Sequence, residues 1–378
     1  MGQGTKRNHP CWCGSGKKLK KCHYRRDEEK PLPVSDALAG FKRAHRPRKC
    51  LHPEASEERC SGQVISSHSI QRQGSLAHIA ARGHVLGFTP EFGQLKKTGG
   101  RIEPRRLGLK KASTFPGFCS SHDRSTFAPI ETDPIVPTPE QAFLLSYRAL
   151  SKELFQKQAQ SEVMSRVLQA ADRGRSPMEQ VLFQTWRADH ALSTSLGSRD
   201  LEREKRLHDE ILLNETWSKD YCFLGVPITS RPTVVSSGAI IPECDFAGNA
   251  LAELGRADVE CDLLAFSIVA TEAAGLALWA CRAESVHGMS FLRQAATLSD
   301  EALVQGAVRF AFEFIENTFI SPDWWDALPT SKRETVIRRA NSGIFDDPGP
   351  GRLQDDRIQL VEWTVGARVA HLNDPTPS

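Results

Sequence analysis

The sequence predicts an α+β protein of several domains, in which small metal-centred modules precede a helical hairpin and a larger mixed region. Three observations carry this. Six of the ten cysteines and eight of the twelve histidines fall within the first 130 residues. Between residues 138 and 211, apolar positions recur at intervals of three and four, the period of a helix buried along one face. From Tyr221 onward, short runs rich in β-branched and aromatic residues alternate with Gly, Pro and Ser before helical spacing returns. At 378 residues, 39% of them hydrophobic and 25% charged, the chain has room for two or three globular domains.

The net charge of +3 conceals an asymmetry. Residues 1–130 hold 25 Lys/Arg against 10 Asp/Glu, whereas the remainder holds 24 against 36. The first third is therefore drawn to polyanions and the rest is not. The opening MGQGTKRNHP is polar and basic, without the apolar stretch of a secretory signal. Cys-x-Cys and adjacent Cys-His pairs suit a reducing compartment, so a cytoplasmic location is expected. The one membrane candidate, 263–281, is interrupted by Glu272 and Gly275 and reads better as two strands joined by a turn, so no membrane insertion is expected.

Residues 1–28 form the first expected module. In Asn8–Tyr24, NHPCWCGSGKKLKKCHY, Cys11 and Cys13 stand one residue apart, and Cys22 and His23 follow after an eight-residue spacer. Three sulfurs and one imidazole are the donor set of a closed, four-coordinate zinc site. Gly14-Ser15-Gly16 supplies the turn that folds the spacer back. Three thiolates around a divalent ion leave a charge of −1, which Lys17, Lys18, Lys20 and Lys21 offset. So short a segment has no core of its own and depends on metal to fold.

The pattern Cys-x-Cys-Gly-Ser-Gly-Lys-Lys-x-x-Lys-Cys-His closely resembles the SEC-C motif, the zinc-binding tail of the SecA preprotein translocases. The resemblance covers roughly 17 of the 378 residues and departs from the family pattern at Trp12 and Leu19. It implies zinc held by Cys11, Cys13, Cys22 and His23, and a docking role: in SecA the motif meets a chaperone and the ribosome.

Residues 29–48 read as a basic linker, entered through the charged, proline-bearing run 25–33. Residues 49–131 form a second basic unit with Cys50, Cys60, Cys119 and His122. Cys119-x2-His122 opens an amphipathic run, which places both groups in the first turn of a helix. A cysteine-bearing loop followed by such a helix looks like a treble-clef finger with these four as ligands. Two buried cysteines beside a helix-capping His-Asp pair remain the alternative. The segment also loosely resembles the HNH nucleases. That resemblance implies a histidine base on a strand and a divalent ion such as Mg2+ at the leaving oxygen. His68, in Ile65-Ser66-Ser67-His68, is the candidate base and Asp123 the candidate metal holder, with His78 and His84 as other candidates for the base.

Residues 132–220 predict a helical hairpin. Thr138-Pro139-Glu140-Gln141 and Ser176-Pro177-Met178-Glu179 are two helix starts, each with a capping hydroxyl, an N1 proline and a Gln or Glu at the capping-box position. The first helix should run about thirty residues, and Gly197 is placed to break the second.

Residues 221–378 predict an α+β region with strands first and helices later. Expected strands are 221–226, 233–235, 239–241, 261–270 and 276–282. Expected helices follow at 300–317, from 322, at 330–341 and at 357–371. Cys222, Cys244, Cys261 and Cys281 sit singly among apolar neighbours, as core residues do. No P-loop, dinucleotide fingerprint or Gly-x-Ser-x-Gly elbow is present.

These readings point first to a zinc-dependent interaction protein that docks onto nucleic acid, the ribosome or a protein partner. An HNH-like metal-dependent nuclease is the alternative, and a translocation-linked adaptor that meets a chaperone is a third reading.

Overall fold

The strands of the second half are read from near-continuous apolar runs, the mark of strands covered on both sides. Leu264–Ala270 is buried at every position, and seven of the eight residues of Gly275–Arg282 are buried. The computed structural model describes residues 6–46, 49–90, 97–343 and 349–373. It is a mixed helix-and-sheet protein that divides into two units, one of Met1–Arg46 with Leu154–Arg199, the other of Pro47–Glu153 with Asp200–Ser378.

The strands are β1 (Ser67–His68), β2 (His84–Gly87), β3 (Arg105–Gly108), β4 (Thr114–Phe115), β5 (Tyr221–Ile228), β6 (Val234–Ile240), β7 (Leu264–Ala270), β8 (Gly275–Arg282), β9 (Thr318–Ile320) and β10 (Val369–His371). The helices used below are α1 (Val34–Ala44), α2 (Ser120–Glu131), α3 (Pro139–Glu162), α4 (Pro177–Asn214), α5 (Val286–Ala296), α6 (Asp300–Phe314), α7 (Pro322–Ala327) and α8 (Thr330–Ala340).

In the larger unit, eight strands form an antiparallel sheet in the order β10-β5-β8-β7-β6-β9-β2-β3. One core joins β5, β7 and β8 to α5 and α6 through Leu224, Phe266, Trp279, Phe291 and Phe310. A second cluster places Ile70, Leu76, Val85, Val235 and Phe319 together. Segments 49–131 and 221–378, expected as separate regions, share this sheet, because β2 of the first pairs with β9 of the second. That pairing joins strands more than 200 residues apart, and no local pattern announces it.

The two predicted helix starts are present with their caps. Thr138 Oγ1 accepts from Gln141 N at 3.2 Å, and the Glu179 carboxylate accepts from Ser176 N at 2.9 Å. Beyond Glu162 the first helix gives way to a wide turn, Val163–Val167, and a tight one, Leu168–Ala170. In the smaller unit, Val163 and Val167 pack with Ala44 of α1 and Ala159. Gly197 does not break α4, which runs unbroken to Asn214 with the stem of Lys157 lying over the glycine.

Several expectations in the mixed region are corrected. The 357–371 segment is extended rather than helical and ends in β10. The Asp355 and Asp356 carboxylates accept from Arg357 N and Ile358 N, which turns the chain away from helix. Further on, the Gln305 side chain accepts from Leu360 N and donates to Val361 O. The strands expected at 233–235 and 239–241 are one strand, β6. Helix α6 stops at Phe314, and α5 and β9 were not foreseen. The 263–281 stretch is a hairpin of β7 and β8, and among the described residues no helix is long and apolar enough to cross a membrane.

Trp279 is fully buried between Phe246, Phe266, Phe291 and Phe310. Replacing it with alanine should cost about 3–5 kcal/mol. Denaturant unfolding should show a lower midpoint, and an unchanged midpoint would contradict this packing.

Candidate metal centres

In the first module the chain turns back on itself through an isolated bridge between Pro10 and Lys18, with Cys11 N donating to Lys17 O at 2.7 Å. Gly14 and Gly16 take φ of +73° and +68°, a left-handed conformation that costs glycine little. A tight helical turn, Leu19–Lys21, then returns Cys22 and His23, whose amides donate to Leu19 O. The donor atoms of Cys11, Cys13, Cys22 and His23 lie within 4.8 Å of one another. His23 Nδ1 is 3.2 Å from both Cys11 Sγ and Cys22 Sγ, and Cys13 Sγ is 3.5 Å from Cys22 Sγ.

The second centre is assembled from three segments of the larger unit. Leu51 N donates to Gly117 O at 2.8 Å, which places Cys50 beside Cys119, and Val64 bridges to Cys119. Cys119 is the N-cap of α2, and its sulfur accepts from His122 N at 3.5 Å. His122 Nδ1 stands 3.5 Å from Cys50 Sγ, 3.7 Å from Cys60 Sγ and 3.3 Å from Cys119 Sγ. All four donor atoms again lie within 4.8 Å of one another. His52 stacks on His122 with centroids 4.1 Å apart. Lys205 Nζ donates to Leu51 O at 2.7 Å and pairs with Asp209, which ties α4 to the backbone beside Cys50.

Both donor sets fit zinc. Tetrahedral coordination with Zn–S near 2.3 Å and Zn–N near 2.0–2.1 Å puts neighbouring donors about 3.6–3.8 Å apart, close to the separations seen here. Burial pushes the Cys11 thiol up to about 12 and the Cys50 thiol up to about 11. Burial would also raise Cys119, but hydrogen bonds from the His122 and Ser61 backbones and the Ser61 hydroxyl outweigh it and draw the thiol down to about 6. Burial likewise opposes the lowering of Cys13, which hydrogen bonds from Ser15 bring about. A cation is what makes several adjacent thiolates tenable. A zinc ion held by all four protein donors would have no open position for water, which is the donor arrangement of a structural rather than a catalytic site.

His68 lies on β1, and its Nε2 donates to Leu109 O at 3.2 Å. Asp123 lies in the first turn of α2, which follows the β1–β4 pair. The two side chains are close enough to influence each other's charge. Burial lowers the His68 pKa, and the nearby arginines Arg72 and Arg148 act in the same direction. Burial raises the Asp123 pKa against the opposing effect of Arg148. Among the described residues Arg148 Nε is buried without a hydrogen-bond partner, and the Ser67 hydroxyl, which no well-formed hydrogen bond satisfies, stands near enough to the Asp123 carboxylate to oppose the rise. The alternative His84 is exposed and bonded to the Arg82 carbonyl.

Two residues beside these sites were not foreseen. Asp172 contacts His23 across 149 positions of sequence, a relation no spacing rule discloses. Arg148 is the one charge in the mostly apolar run FLLSYRAL of α3, and a charge at a buried helix position is the available signal.

Residues 7–25 match the SEC-C motif family. A stretch of 27 residues is 67% identical to a methionine aminopeptidase of Chlamydia trachomatis, over 7% of this chain and 9% of that enzyme. The likeness is thus confined to a short segment of both proteins. No solved structure matches the chain.

In metal-loaded protein, Cys13, Cys22 and Cys60 should resist alkylation although each is partly exposed, and a chelator should release them. Cys222, Cys244, Cys261 and Cys281, all buried, should stay protected until global unfolding. Mass mapping of the alkylated sites reads this directly. Equal labelling of the first three with and without chelator would contradict the two centres.

Proposed function

We propose that the protein is a zinc-stabilised docking protein whose N-terminal module engages nucleic acid, free or within the ribosome. The observation that carries this is the surface of the module. Lys17, Lys18, Lys20 and Lys21 are exposed, and none forms an ion pair among the described residues. Trp12 is 47% exposed on the same short module, with its ring 4.5 Å from that of the ligand His23. Unpaired cations beside an exposed aromatic ring suit a phosphate backbone with accessible bases. The metal fixes the lysine-bearing turn, so a loop too short to fold alone presents its charges in one arrangement.

Binding of the full chain to a single-stranded or duplex oligonucleotide should weaken steeply as salt rises. Changing Lys17, Lys18, Lys20 and Lys21 to serine should flatten the slope of log affinity against log salt by about 0.7–0.9 for each phosphate no longer neutralised. Zinc content should not change. A wild-type affinity indifferent to salt, or a serine variant that binds as well as wild type, would count against nucleic acid. Capture of a folded protein partner by wild type alone would then favour the protein-docking version.

A second reading, an HNH-like nuclease, is favoured by the placement of His68 on β1 and Asp123 in the first turn of α2, beside the second centre. The ribbon followed by a helix that carries two ligands supports a treble-clef reading of residues 49–131. Because Nε2 of His68 donates to Leu109 O, Nδ1 is left with the lone pair that would take a proton from an attacking water. A magnesium-class cation held by Asp123 would supply charge stabilisation at the leaving oxygen. The lowered His68 pKa keeps the ring in its base form at neutral pH, so cleavage should fall as the medium is acidified through that lowered value. His68→Ala should abolish cleavage of DNA or RNA in magnesium or manganese without loss of zinc. Cleavage that survives this change, or none by the wild type, removes the nuclease reading.

A further inference from the structure

We propose that Asp172 is a positioning residue for the first metal centre, holding the His23 ring so that Nδ1, and not Nε2, faces the three sulfurs. The inference rests on the reading of Cys11, Cys13, Cys22 and His23 as zinc ligands. Asp172 lies between α3 and α4, and its side chain is fully buried, as is that of His23 to within 1%. Its Oδ2 is 2.9 Å from His23 Nε2 and accepts from Gln184 Nε2 at 2.7 Å, while Oδ1 accepts from Arg26 Nε at 2.7 Å.

The hydrogen-bond roles follow from the donor inventory. Guanidinium and amide N–H groups can only donate here, so Asp172 is an acceptor at both oxygens. A carboxylate facing His23 Nε2 then requires the proton to be on Nε2. That leaves the Nδ1 lone pair pointing at the sulfurs, 3.2 Å from Cys11 Sγ and from Cys22 Sγ. A carboxylate behind a ligand histidine both fixes the ring and makes its other nitrogen a better donor to a cation.

The surrounding contacts make Asp172 more than a chance neighbour. Arg26, its second partner, also donates to Cys22 O at 3.2 Å and to Gln169 O, while Gly174 N donates to Arg26 O at 3.0 Å. The carboxylate is thus bracketed by a ligand, by an arginine bonded to the backbone of another ligand, and by Gln184 of α4. The segment joining the two long helices thereby becomes part of the metal site, and the module is built into the smaller unit.

The test uses the full chain and zinc itself, in competition with a chromophoric chelator. Asp172→Asn keeps the size of the side chain but turns one acceptor into a donor, and should weaken zinc binding at this centre about 10–100-fold. Val167→Ala loosens the same unit through its seam with α1 without touching His23, and should leave zinc affinity unchanged. The imidazole nitrogen spectrum of zinc-loaded wild type should show His23 with Nε2 protonated and Nδ1 on the metal. Equal affinity in Asp172→Asn and wild type, an equal loss in Val167→Ala, or a wild-type spectrum with Nε2 on the metal would each overturn the proposal. The wild-type spectrum decides even if the variant fails to fold. Wild type whose zinc content is unaffected by Cys11→Ser would instead overturn the zinc reading on which the proposal rests.

Discussion

Sulfur crowding is the constraint on which the rest depends. In each centre three thiol groups and an imidazole are brought within 4.8 Å of one another. Without a cation, neighbouring thiolates repel one another, and burial pushes the Cys11 thiol up to about 12 and the Cys50 thiol up to about 11. With a divalent ion the same burial becomes favourable, because the thiolates are neutralised and the low local dielectric strengthens the attraction. A metal held there would take the place of the hydrophobic core that so short a module lacks.

The two centres are supported differently. In the smaller unit, Asp172 and Arg26 form a buried polar cluster that joins His23 to the segment between α3 and α4. In the larger unit, Cys119 caps helix α2 and is one of the four clustered donors, so a metal held there would share its origin with the helix. Lys205 reaches the backbone beside Cys50 from α4, where burial lowers its pKa against the opposing pull of the Asp209 carboxylate. Each centre therefore borrows rigidity from a long helix whose own start is fixed by a capping box. Among the described residues the exposed lysines of the first module form no ion pair, while Trp12, although half exposed, leans on the His23 ring.

The parts of this arrangement that were legible in the sequence are those set by short-range rules. Cys11-x-Cys13 and Cys22-His23 with a glycine turn between them disclose a ligand set directly. Cys119-x2-His122 discloses a helix start, and the capping boxes at Thr138 and Ser176 mark two more. Relations that depend on distant pairing were not legible. Nothing local in His84–Gly87 says that it joins a sheet with Thr318–Ile320, and nothing in the turn around Asp172 names His23 as its partner. The helix expected at 357–371 failed for a local reason: two aspartate side chains captured the amides at its start. Gly197 has the look of a breaker, yet a lone glycine costs only about 1 kcal/mol in a helix that packing otherwise secures.

The most direct test of the account is elemental analysis of the purified full chain for bound zinc. Two ions per chain are predicted, falling to one when either Cys11 or Cys119 is changed to serine. Protein that folds and carries no zinc would contradict the central claim, and a wild-type value of one would leave only the centre whose serine variant is empty.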